Sequence, residues 1–480
     1  MPTGPARRLS AAFALLCVIS AAPAALQQQI QSIVTSRSYT AEHVSVAVRD
    51  CTSGQLIVNI NADTQRTPAS NMKVLTTGTA ALVLGEDFRF ETRLLRRGDN
   101  LILVGDGDPA LADPRLLADM GELEPEALLD TLASAAVDAG ITSIDTLIVD
   151  DRVFDREATP PEWPASQFEK RHSAPVSGLN FHRNTVFITA KGRKSDVHVP
   201  AMSPPYPSVR LVNSITLDRG KKGSAALAPT RELASNRIVL RGKVSPGKAA
   251  GIEISIDRPA LRTGQLLAAL LNHRGITVDN VRLARNTDPP AAGTPIGPPI
   301  VTNLDTVLAV CNSYSNNLYA ESLLKRLAHA TTKRPGTRVD GGRIVTRMVQ
   351  QMTGAADGLH VEDGSGLSQS NRVTTRLLAN WMCAFDGDTV AEQIFLDSLA
   401  QPGTGTLENR LSQAAGTGSL VQAKSGYINR VSALTGLVTQ PNGRRLAFSI
   451  IINNTDRTRP AKAMQDAIVA VLAGAPSSRK

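Results

Sequence analysis

The sequence has few aromatic residues and, after its N-terminal region, no long apolar run. Phe, Trp and Tyr make up 4% of the 480 residues, which argues against a protein that binds nucleic acid by stacking bases on aromatic side chains. No later stretch reaches about 18 uninterrupted apolar residues, the length that a membrane-spanning helix needs. We therefore expect neither a nucleic-acid partner nor stable insertion into a membrane.

Cysteine and histidine are also scarce. The four cysteines are Cys17, Cys51, Cys311 and Cys383, and no two of them have the close spacing of a zinc site. The seven histidines form no HExxH-type cluster. We expect no metal and no cofactor. The cysteines that follow the N-terminal region allow at most one disulfide, and nothing indicates which two of them pair.

The remaining composition is that of an ordinary folded protein with a basic surface. Hydrophobic residues make up 42% and charged residues 20%, and the length predicts two or three domains. The net charge of +9 is spread along the chain rather than gathered in one run. Such a diffuse positive field suits acidic polymers in general, including nucleic acid, anionic lipid and bacterial wall material, but a soluble basic surface without a partner explains it equally well.

The N-terminus predicts export from the cytoplasm. Arg7 and Arg8 form a basic start, residues 9–21 are apolar, and residues 22–24 (Ala-Pro-Ala) fit a small-x-small cleavage site. This pattern is typical of a secretory signal peptide, here over residues 1–24, and its apolar run is too short to span a membrane. We expect the mature protein in the periplasm or in the extracellular cell-wall space.

Apolar patterning predicts an α/β domain that a long insertion divides in two. Residues 68–84 are apolar nearly all round, as in a helix buried at a protein centre, and apolar residues recur at helical spacing over 304–330. Between about 91 and 300, short strands, turns and proline clusters indicate inserted material, with one helix near 125–139. Residue periodicity also predicts the flanking elements, which are strands at 43–50, 55–59, 422–427, 431–438 and 446–453 and a helix at 461–472.

The first chemical candidate is a serine and a lysine one turn apart at the start of the predicted buried helix. Ser70 and Lys73 share a helix face, so the hydroxyl and the amine can meet. A serine becomes a nucleophile only when a base takes its proton, and burial in an apolar helix favours the neutral amine that can do so. Ser-x-x-Lys also occurs by chance, and taken alone this pair is as readily an ordinary helix start.

The second candidate is a serine and an asparagine two residues apart. Ser315 and Asn317 can converge on one site only where the backbone is not a regular helix. The hydroxyl could then pass protons between nucleophile, base and leaving group, while the amide binds a peptide carbonyl. Taken alone, this pair is more often a polar turn of a helix.

The third candidate lies on a predicted strand near the C-terminus. Lys424 and Ser425 offer a cation and a hydroxyl to a carboxylate, and Gly426 lets a substrate backbone approach closely. The backbone N–H groups of Tyr427 and Ser70 could form an oxyanion hole. Taken alone, the end of a strand is the more common explanation, but the three motifs gain weight because they occur in this order in one chain with a leader.

In this order the motifs are those of the penicillin-recognising serine enzymes. The chain closely resembles the D-alanyl-D-alanine carboxypeptidase/endopeptidase family, the class C low-molecular-mass penicillin-binding proteins. The resemblance extends over nearly the whole mature chain, and further segments carry it at 104–109, 174–180, 363–368 and 402–407.

The resemblance implies an α/β fold with nested insertions. A transpeptidase domain like that of serine β-lactamases, with an antiparallel sheet flanked by helices, would comprise 25–90 and 301–480. A first inserted domain would comprise 91–170 and 255–300. This inserted domain would itself carry a β-rich domain over 171–254.

The resemblance also implies a role for each candidate residue. Ser70 is the acylated nucleophile, Lys73 is its base, and Ser315 relays protons. Asp150, at the end of a predicted strand, resembles an aspartate that contacts the amino group of a diamino-acid side chain in some members. Substrate binding is expected from Asn317, Lys424, Ser425, Gly426, Tyr427 and this Asp150.

Two positions depart from the family pattern. Ser425 stands where most members have threonine, which keeps the hydroxyl. Gln369 stands where many members have an arginine that helps to hold a carboxylate of the substrate. Arg372 lies close in the sequence and is a candidate to replace that arginine.

The implied function is that of an exported serine DD-peptidase. It would cleave the D-Ala-D-Ala termini of peptidoglycan stem peptides, or the cross-links between them, through an acyl-enzyme on Ser70, with β-lactam antibiotics as covalent inhibitors. Two other functions stay open. A serine β-lactamase is disfavoured by the long insertion between Lys73 and Ser315, and a non-catalytic wall-binding module is disfavoured by the intact motifs. The sequence does not decide between carboxypeptidase and endopeptidase, nor between a monomer and a homo-oligomer.

Overall fold

The computed structural model describes residues 24–36, 39–199, 202–220, 223–231, 235 and 237–475. The predicted signal peptide therefore lies, except for its last residue, outside the described residues. None of the helices in the described ranges is long and apolar enough to cross a membrane. The helices are, in chain order, α1 (24–36), α2 (Met72–Leu84), α3 (Pro114–Asp119), α4 (Ala127–Asp138), α5 (Pro259–His273), α6 (Leu304–Ser313), α7 (Asn317–Thr332), α8 (Arg338–Thr353), α9 (Thr375–Cys383), α10 (Val390–Ser398), α11 (Ser412–Ala415) and α12 (Thr458–Leu472).

The strands alternate with these helices along the chain. They are β1 (Val44–Asp50), β2 (Leu56–Ile60), β3 (Arg89–Arg97), β4 (Asn100–Val104), β5 (Ser143–Asp150), β6 (Thr185–Gly192), β7 (Val197–His198), β8 (Met202–Ser203), β9 (Arg210–Leu217), β10 (Ala225–Arg231), β11 (Arg237–Val244), β12 (Ala249–Ser255), β13 (Thr277–Leu283), β14 (Thr294–Pro295), β15 (Ile300–Asn303), β16 (Leu420–Ile428), β17 (Val431–Thr439) and β18 (Arg445–Ile452). The predicted N-terminal hairpin, the three predicted C-terminal strands and the predicted C-terminal helix are all confirmed.

The described chain separates into two compact units. The first unit holds the described residues up to Val83, the segment Leu308–Ser315, and those from Gly342 onward. The second unit holds Leu84–Val307 and Asn316–Gly341. The finer division of the insertion into two nested domains stays a prediction.

The first unit is built on an antiparallel five-stranded sheet with the strand order β16-β17-β18-β1-β2. Val44, Val46 and Val48 of β1 lie on one face of this sheet, where they pack in one core with Ile468 of α12. Successive strand residues point to opposite faces. Accordingly, Ala47 belongs to a different cluster, which includes α9. The predicted antiparallel sheet with helices on its faces is therefore confirmed.

Helix α2 is buried over most of its length, as its nearly continuous apolar sequence predicts. At Gly78 an added Cβ would come within 2.8 Å of the rings of Trp381 and Phe385, so only glycine allows this close packing. The helix ends at Leu84, before Gly85 with φ +82°. A helix enclosed in this way can hold a polar side chain out of water near its start.

In the second unit, the described strands form three sheets. The largest has the order β13-β5-β4-β3-β14, with β15 also pairing with β3. It is mixed, because β13, β5 and β4 run parallel while β3 and β4 run antiparallel. Helix α5 packs against β13 and β5, and α4 packs against α5. The other two sheets have the orders β12-β6-β7, with β8 on β6, and β10-β11-β9.

Two helical segments differ from the prediction. The stretch 304–330 is not one helix, because Ser315 has a left-handed backbone (φ +59°) that separates α6 from α7. Helix α5 is absent from the prediction, although Pro259 at its first position and His273 in its last turn are typical end signals. The predicted helix near 125–139 is confirmed as α4.

The first unit is closed by a disulfide between Cys51 and Cys383. It joins the turn after β1 to the end of α9, across a sequence separation of 332 residues. The sequence left the pairing open among Cys51, Cys311 and Cys383. Cys311 is buried in α6.

This disulfide gives a prediction about stability. Because the bridge closes a very long loop, it removes much chain entropy from the unfolded state, typically about 2–4 kcal/mol of stabilisation. We expect the double variant Cys51→Ser/Cys383→Ser to unfold at a lower temperature and lower urea concentration than the wild type. Urea unfolding followed by circular dichroism measures this, with the chemically reduced wild type as the matched control. Equal midpoints for the double variant and the oxidised wild type would contradict the assigned pairing.

Candidate active site

Ser70 lies in a short 3₁₀ turn, Ala69–Asn71, directly before α2. The preceding Ala69 has φ +48°, which is unusual for a residue with a side chain and marks a backbone held by its surroundings. Gly366 packs against this turn, since a Cβ added there would lie 1.8 Å from the Ala69 carbonyl oxygen. The turn that carries the serine is therefore packed against a second segment of the chain.

Lys73 lies one turn after Ser70 and faces it. Its Nζ is 3.2 Å from Ser70 Oγ, within hydrogen-bond distance, and donates to the Ser365 carbonyl at 2.7 Å. The lysine side chain is fully buried. The predicted meeting of hydroxyl and amine on one helix face is therefore what the structure shows.

The segment after α8 presents backbone carbonyls to α2. Asp363 accepts hydrogen bonds from the N–H groups of Gly366 (2.7 Å) and Ser368 (2.6 Å), which closes the segment into a tight loop. The loop directs the Ser365 carbonyl to Lys73 and the Gly364 carbonyl to the hydroxyl of Thr76 at 2.8 Å. The sequence indicated this segment only through its resemblance to the family. Any residue type can supply a backbone carbonyl, so the residue types alone did not reveal this contact.

Ser315 lies between α6 and α7 in the left-handed conformation already described. The end of α6 is held to α2 by Asn312, whose Nδ2 donates to Thr77 Oγ1 (3.0 Å) and to Ser398 Oγ (2.7 Å). Thr77 Oγ1 in turn donates to the Lys73 carbonyl at 2.6 Å. The backbone at Ser315 is therefore irregular, which is the condition under which Ser315 and Asn317 were expected to converge. Asn312 is a positioning residue that the sequence did not reveal.

Strand β16 lies beside the Ser70 turn. Asn71 Nδ2 donates to the Lys424 carbonyl at 2.8 Å. A Cβ added at Gly426 would lie 3.1 Å from the Ser70 nitrogen and 2.8 Å from Asn71 Oδ1. Gly426 therefore lets the strand pack closely against the Ser70 turn, whereas the approach of a substrate backbone at Gly426 stays a prediction. Asn71 was missed, although a polar residue at the start of an otherwise apolar helix was a usable signal.

Lys424 is fully buried, and its Nζ donates to the carbonyl of the neighbouring Ser425 at 3.0 Å. Burial, together with the positive charge of nearby Lys73, holds the pKa of the Lys424 amine well below its usual value. An anion placed beside Lys424 would reverse this effect, because it would stabilise the protonated amine.

Two of the predicted binding residues belong to the second unit. Asn317 begins α7, and its Nδ2 donates to the His172 carbonyl at 2.9 Å. Asp150 ends β5, where Arg152 Nε and Nη2 donate to its two carboxylate oxygens at 2.8 and 2.6 Å. The carboxylate of Asp150 is thus already paired with a guanidinium, which the sequence did not indicate.

Arg372, a candidate replacement for the family arginine at Gln369, lies close to the nucleophile turn. Its Nη1 donates to the carbonyls of Gln369 (2.5 Å) and Asn371 (2.8 Å) and to Thr67 Oγ1 at 3.3 Å. The guanidinium is therefore used to hold this segment beside Thr67, three residues before Ser70.

Among the described residues no group of three or more His, Cys, Asp or Glu side chains is placed to hold a metal ion.

Comparison with known proteins identifies the family and the fold. The model of the D-Ala-D-Ala carboxypeptidase 3 (S13) family matches residues 26–475. A D-alanyl-D-alanine carboxypeptidase of Actinomadura sp. (strain R39) is 30% identical to this chain, over 98% of this chain and 89% of that protein. D-alanyl-D-alanine carboxypeptidase DacB of Haemophilus influenzae is 23% identical over 88% of each chain. The crystal structure of penicillin binding protein 4 (dacB) from Haemophilus influenzae superposes with a TM-score of 0.76 and 22% identity, covering 93% of this chain and 98% of that one.

The superposition shows the fold of a penicillin-binding protein, and the family match with its carboxypeptidase relative shows a serine-type hydrolase. The chain belongs to the D-Ala-D-Ala carboxypeptidase 3 (S13) family. The fold, the family and the serine-type D-Ala-D-Ala peptidase activity predicted from the sequence are thereby confirmed. The roles of individual residues stay predictions.

The close approach at Gly426 gives a prediction about the site. In Gly426→Ala the new methyl group would press on Asn71 Oδ1 and the Ser70 nitrogen and displace the nucleophile turn. We expect the rate of acylation by a fluorescent penicillin to fall at least about tenfold, the equivalent of about 1.4 kcal/mol in the barrier. Gly416→Ala is the matched control, because an added Cβ there meets only Gln413 at 3.9 Å. Unchanged acylation in Gly426→Ala would show that the strand does not border the reacting serine.

Proposed function

We propose that the protein is an exported DD-carboxypeptidase that removes the terminal D-alanine from peptidoglycan stem peptides through an acyl-enzyme on Ser70. The observation that carries this proposal is the 3.2 Å contact between Ser70 Oγ and Lys73 Nζ beside strand β16. The names of the relatives support the substrate class, since both are D-alanyl-D-alanine carboxypeptidases.

In the acylation step, Lys73 in its neutral form takes the proton of Ser70, and Oγ attacks the carbonyl carbon between the two D-alanines. The N–H groups of Ser70 and Tyr427 stabilise the oxyanion that develops on that carbonyl. Ser315 passes the proton to the leaving nitrogen, so that free D-alanine departs. Water then attacks the ester, and Ser70 regains its proton.

Substrate binding uses the edge of the sheet. Because β16 is the terminal strand of its sheet, an extended peptide can lie along it by backbone hydrogen bonding, close to the Ser70 turn that packs against Gly426. Lys424 and Ser425 bind the terminal carboxylate, and Asn317 binds the amide of the preceding residue. The lowered pKa of Lys424 applies without substrate, because the incoming carboxylate stabilises the ammonium form.

β-Lactam antibiotics would act as covalent inhibitors of the same serine. Penicillin binding protein 4 of Haemophilus influenzae, which shares the fold, has been crystallised in complex with a β-lactam.

We place the protein in the periplasm or the extracellular cell-wall space. The predicted leader supports this location, as does the Cys51–Cys383 disulfide, which suits an oxidising compartment.

Digestion of purified muropeptides, with the products identified by mass spectrometry, tests the proposed reaction. The expected product is a pentapeptide stem shortened by one alanine, with the Ser70→Ala protein as the control. Conversion of cross-linked dimers to monomers without loss of alanine would replace carboxypeptidase by endopeptidase activity. An unchanged digest from correctly folded protein would favour the non-catalytic alternative, and rapid hydrolysis of nitrocefin would favour a β-lactamase.

A further inference from the structure

The two backbone N–H groups proposed for the oxyanion hole belong to different segments of the first unit. Ser70 lies in the turn before α2, and Tyr427 lies on β16. The Ala423 N–H donates to the Ala400 carbonyl, on the edge of β16 that does not pair with β17. Because the N–H groups of successive strand residues face alternate edges, the Tyr427 N–H faces this same edge. The separation of the two donors therefore depends on how the turn is attached to the strand.

Gly426 limits how closely the turn and the strand can approach each other. A Cβ added at Gly426 would lie 2.8 Å from Asn71 Oδ1 and 3.1 Å from both the Ser70 nitrogen and the Pro68 carbonyl oxygen. Contacts of this kind are repulsive at shorter range and only weakly attractive at longer range. They prevent the two segments from moving together, but they do little to prevent them from moving apart.

The Asn71 side chain opposes movement of the two segments away from each other. Asn71 directly follows the serine and is fully buried. Its Nδ2 donates to the carbonyl of Lys424 on β16 at 2.8 Å. Because N–H···O hydrogen bonds weaken outside about 2.7–3.2 Å, this bond limits how far the strand can move from the turn.

Stability alone explains this buried amide poorly. Asn71 Oδ1 is buried and accepts no hydrogen bond from any described residue. A buried acceptor without a partner costs at least as much free energy as one ordinary hydrogen bond contributes, so the amide brings little net stabilisation. The contact that its donor makes with β16 is therefore the better explanation for an asparagine at this position.

The turn also has a backbone that can relax when a contact is lost. Ala69, directly before the serine, has the left-handed conformation already described, which persists only where the surroundings enforce it. Gly366 packs against the Ala69 carbonyl, and Asn71 joins the turn to β16. Loss of the Asn71 contact would free one side of the turn, and the Ser70 N–H would move with it.

We propose that Asn71 is a positioning residue that fixes the separation of the Ser70 and Tyr427 N–H groups in the oxyanion hole. Gly426 sets the smallest separation of the two segments, and the hydrogen bond from Asn71 to Lys424 sets the largest. Oxyanion donors act within about 2.7–3.1 Å of the developing charge, so a small displacement of either donor lowers the rate. This role rests on the proposed acylation of Ser70, because the two donors serve that reaction.

Two variants of Asn71 test this role. Asn71→Leu removes the amide and keeps a branched side chain, whereas Asn71→Ala leaves nothing that could crowd Gly426 and covers the case in which Asn71→Leu does not fold. In both we expect acylation by a chromogenic β-lactam to slow by about 10- to 100-fold, the usual effect of displacing a catalytic group by about 1 Å. Because the base Lys73 is retained, the dependence of the acylation rate on pH should keep its wild-type shape.

A boronic acid analogue of N-acetyl-D-alanine reports on the oxyanion hole more directly. Ser70 Oγ adds to the boron without breaking another bond, the serine proton passes to Lys73, and an oxygen on boron takes the place of the oxyanion. We expect the inhibition constant to rise in the Asn71 variants by about the factor by which acylation slows, because both depend on the same two donors. The dissociation constant of the β-lactam before acylation should stay close to its wild-type value.

Asn213→Leu is the matched control. Asn213 Nδ2 also donates to a backbone carbonyl at 2.8 Å, that of Val197, but it lies on β9 in the second unit. This variant should acylate, and bind the boronic acid, as the wild type does. Thermal unfolding of each variant verifies that the measured protein is folded.

Asn71 does not have the proposed role if its folded variants acylate at the wild-type rate. The same conclusion follows if acylation slows while the affinity for the boronic acid is unchanged, or if the dependence of the rate on pH shifts as it would on loss of the base. Normal acylation in the Asn71 variants would leave the peptidase mechanism in place. Full labelling of Ser70→Ala would instead contradict that mechanism, so the two failures are distinguishable.

Discussion

Ser70→Ala is expected to abolish covalent labelling by fluorescent penicillin and to lower the hydrolysis of a D-Ala-D-Ala peptide by a factor of about 10³–10⁶. The reason is geometric, because Ser70 Oγ is the hydroxyl that lies 3.2 Å from Lys73 Nζ in the 3₁₀ turn bordered by Gly426. Loss of the oxygen removes the bond-forming atom and leaves the fold, since the turn is held by its backbone and by Asn71.

Gel fluorescence after incubation with the labelled penicillin measures this effect. Ser412→Ala is the control, because Ser412 is an exposed serine of the same unit. The control should label as the wild type does. A Ser70→Ala protein that labels at full stoichiometry would show that another residue is the nucleophile.

The second large effect is expected at Lys73. Lys73→Met removes the base and should slow acylation by about 10²–10⁴, the usual contribution of a general base. Lys73→Arg is the more informative variant, because it keeps a cation at this position but cannot lose its proton near neutral pH. We expect Lys73→Arg to be nearly as slow as Lys73→Met.

Stopped-flow acylation with a chromogenic β-lactam gives the two rates, and thermal unfolding verifies that each variant is folded. Lys462→Met, on the exposed side of α12, is the matched control and should acylate normally. If Lys73→Arg acylated as fast as the wild type, Lys73 would act as a fixed positive charge and not as a base.

Much of the fold could be predicted because its elements have simple periods. Val44, Val46 and Val48 alternate with polar or small residues, so β1 was visible, and the apolar run after Met72 predicted α2. The Ser70–Lys73 pair could be predicted for the same reason, since a spacing of three places two residues on one helix face.

Other features depend on contacts between residues far apart in the sequence. The break at Ser315 was not visible, because apolar residues such as Leu308 and Leu318 continue at helical spacing on both sides of it. The Ser365 carbonyl at Lys73 depends on the backbone path of a loop, and the pairing of Cys51 with Cys383 depends on a fold that joins residues 332 positions apart.

Helix α5 was missed for a different reason. Its end signals are present, but it lies between strands in a segment whose prolines and turns favour irregular structure.

Ser70 is the residue that we expect a β-lactam to acylate. Mass spectrometry of the wild-type protein after brief exposure to benzylpenicillin, followed by proteolysis and peptide sequencing, tests it directly. We expect one penicilloyl group per chain, attached to the peptide that contains Ser70 and localised to that serine. An adduct on any other residue, or no adduct on folded protein, would contradict it.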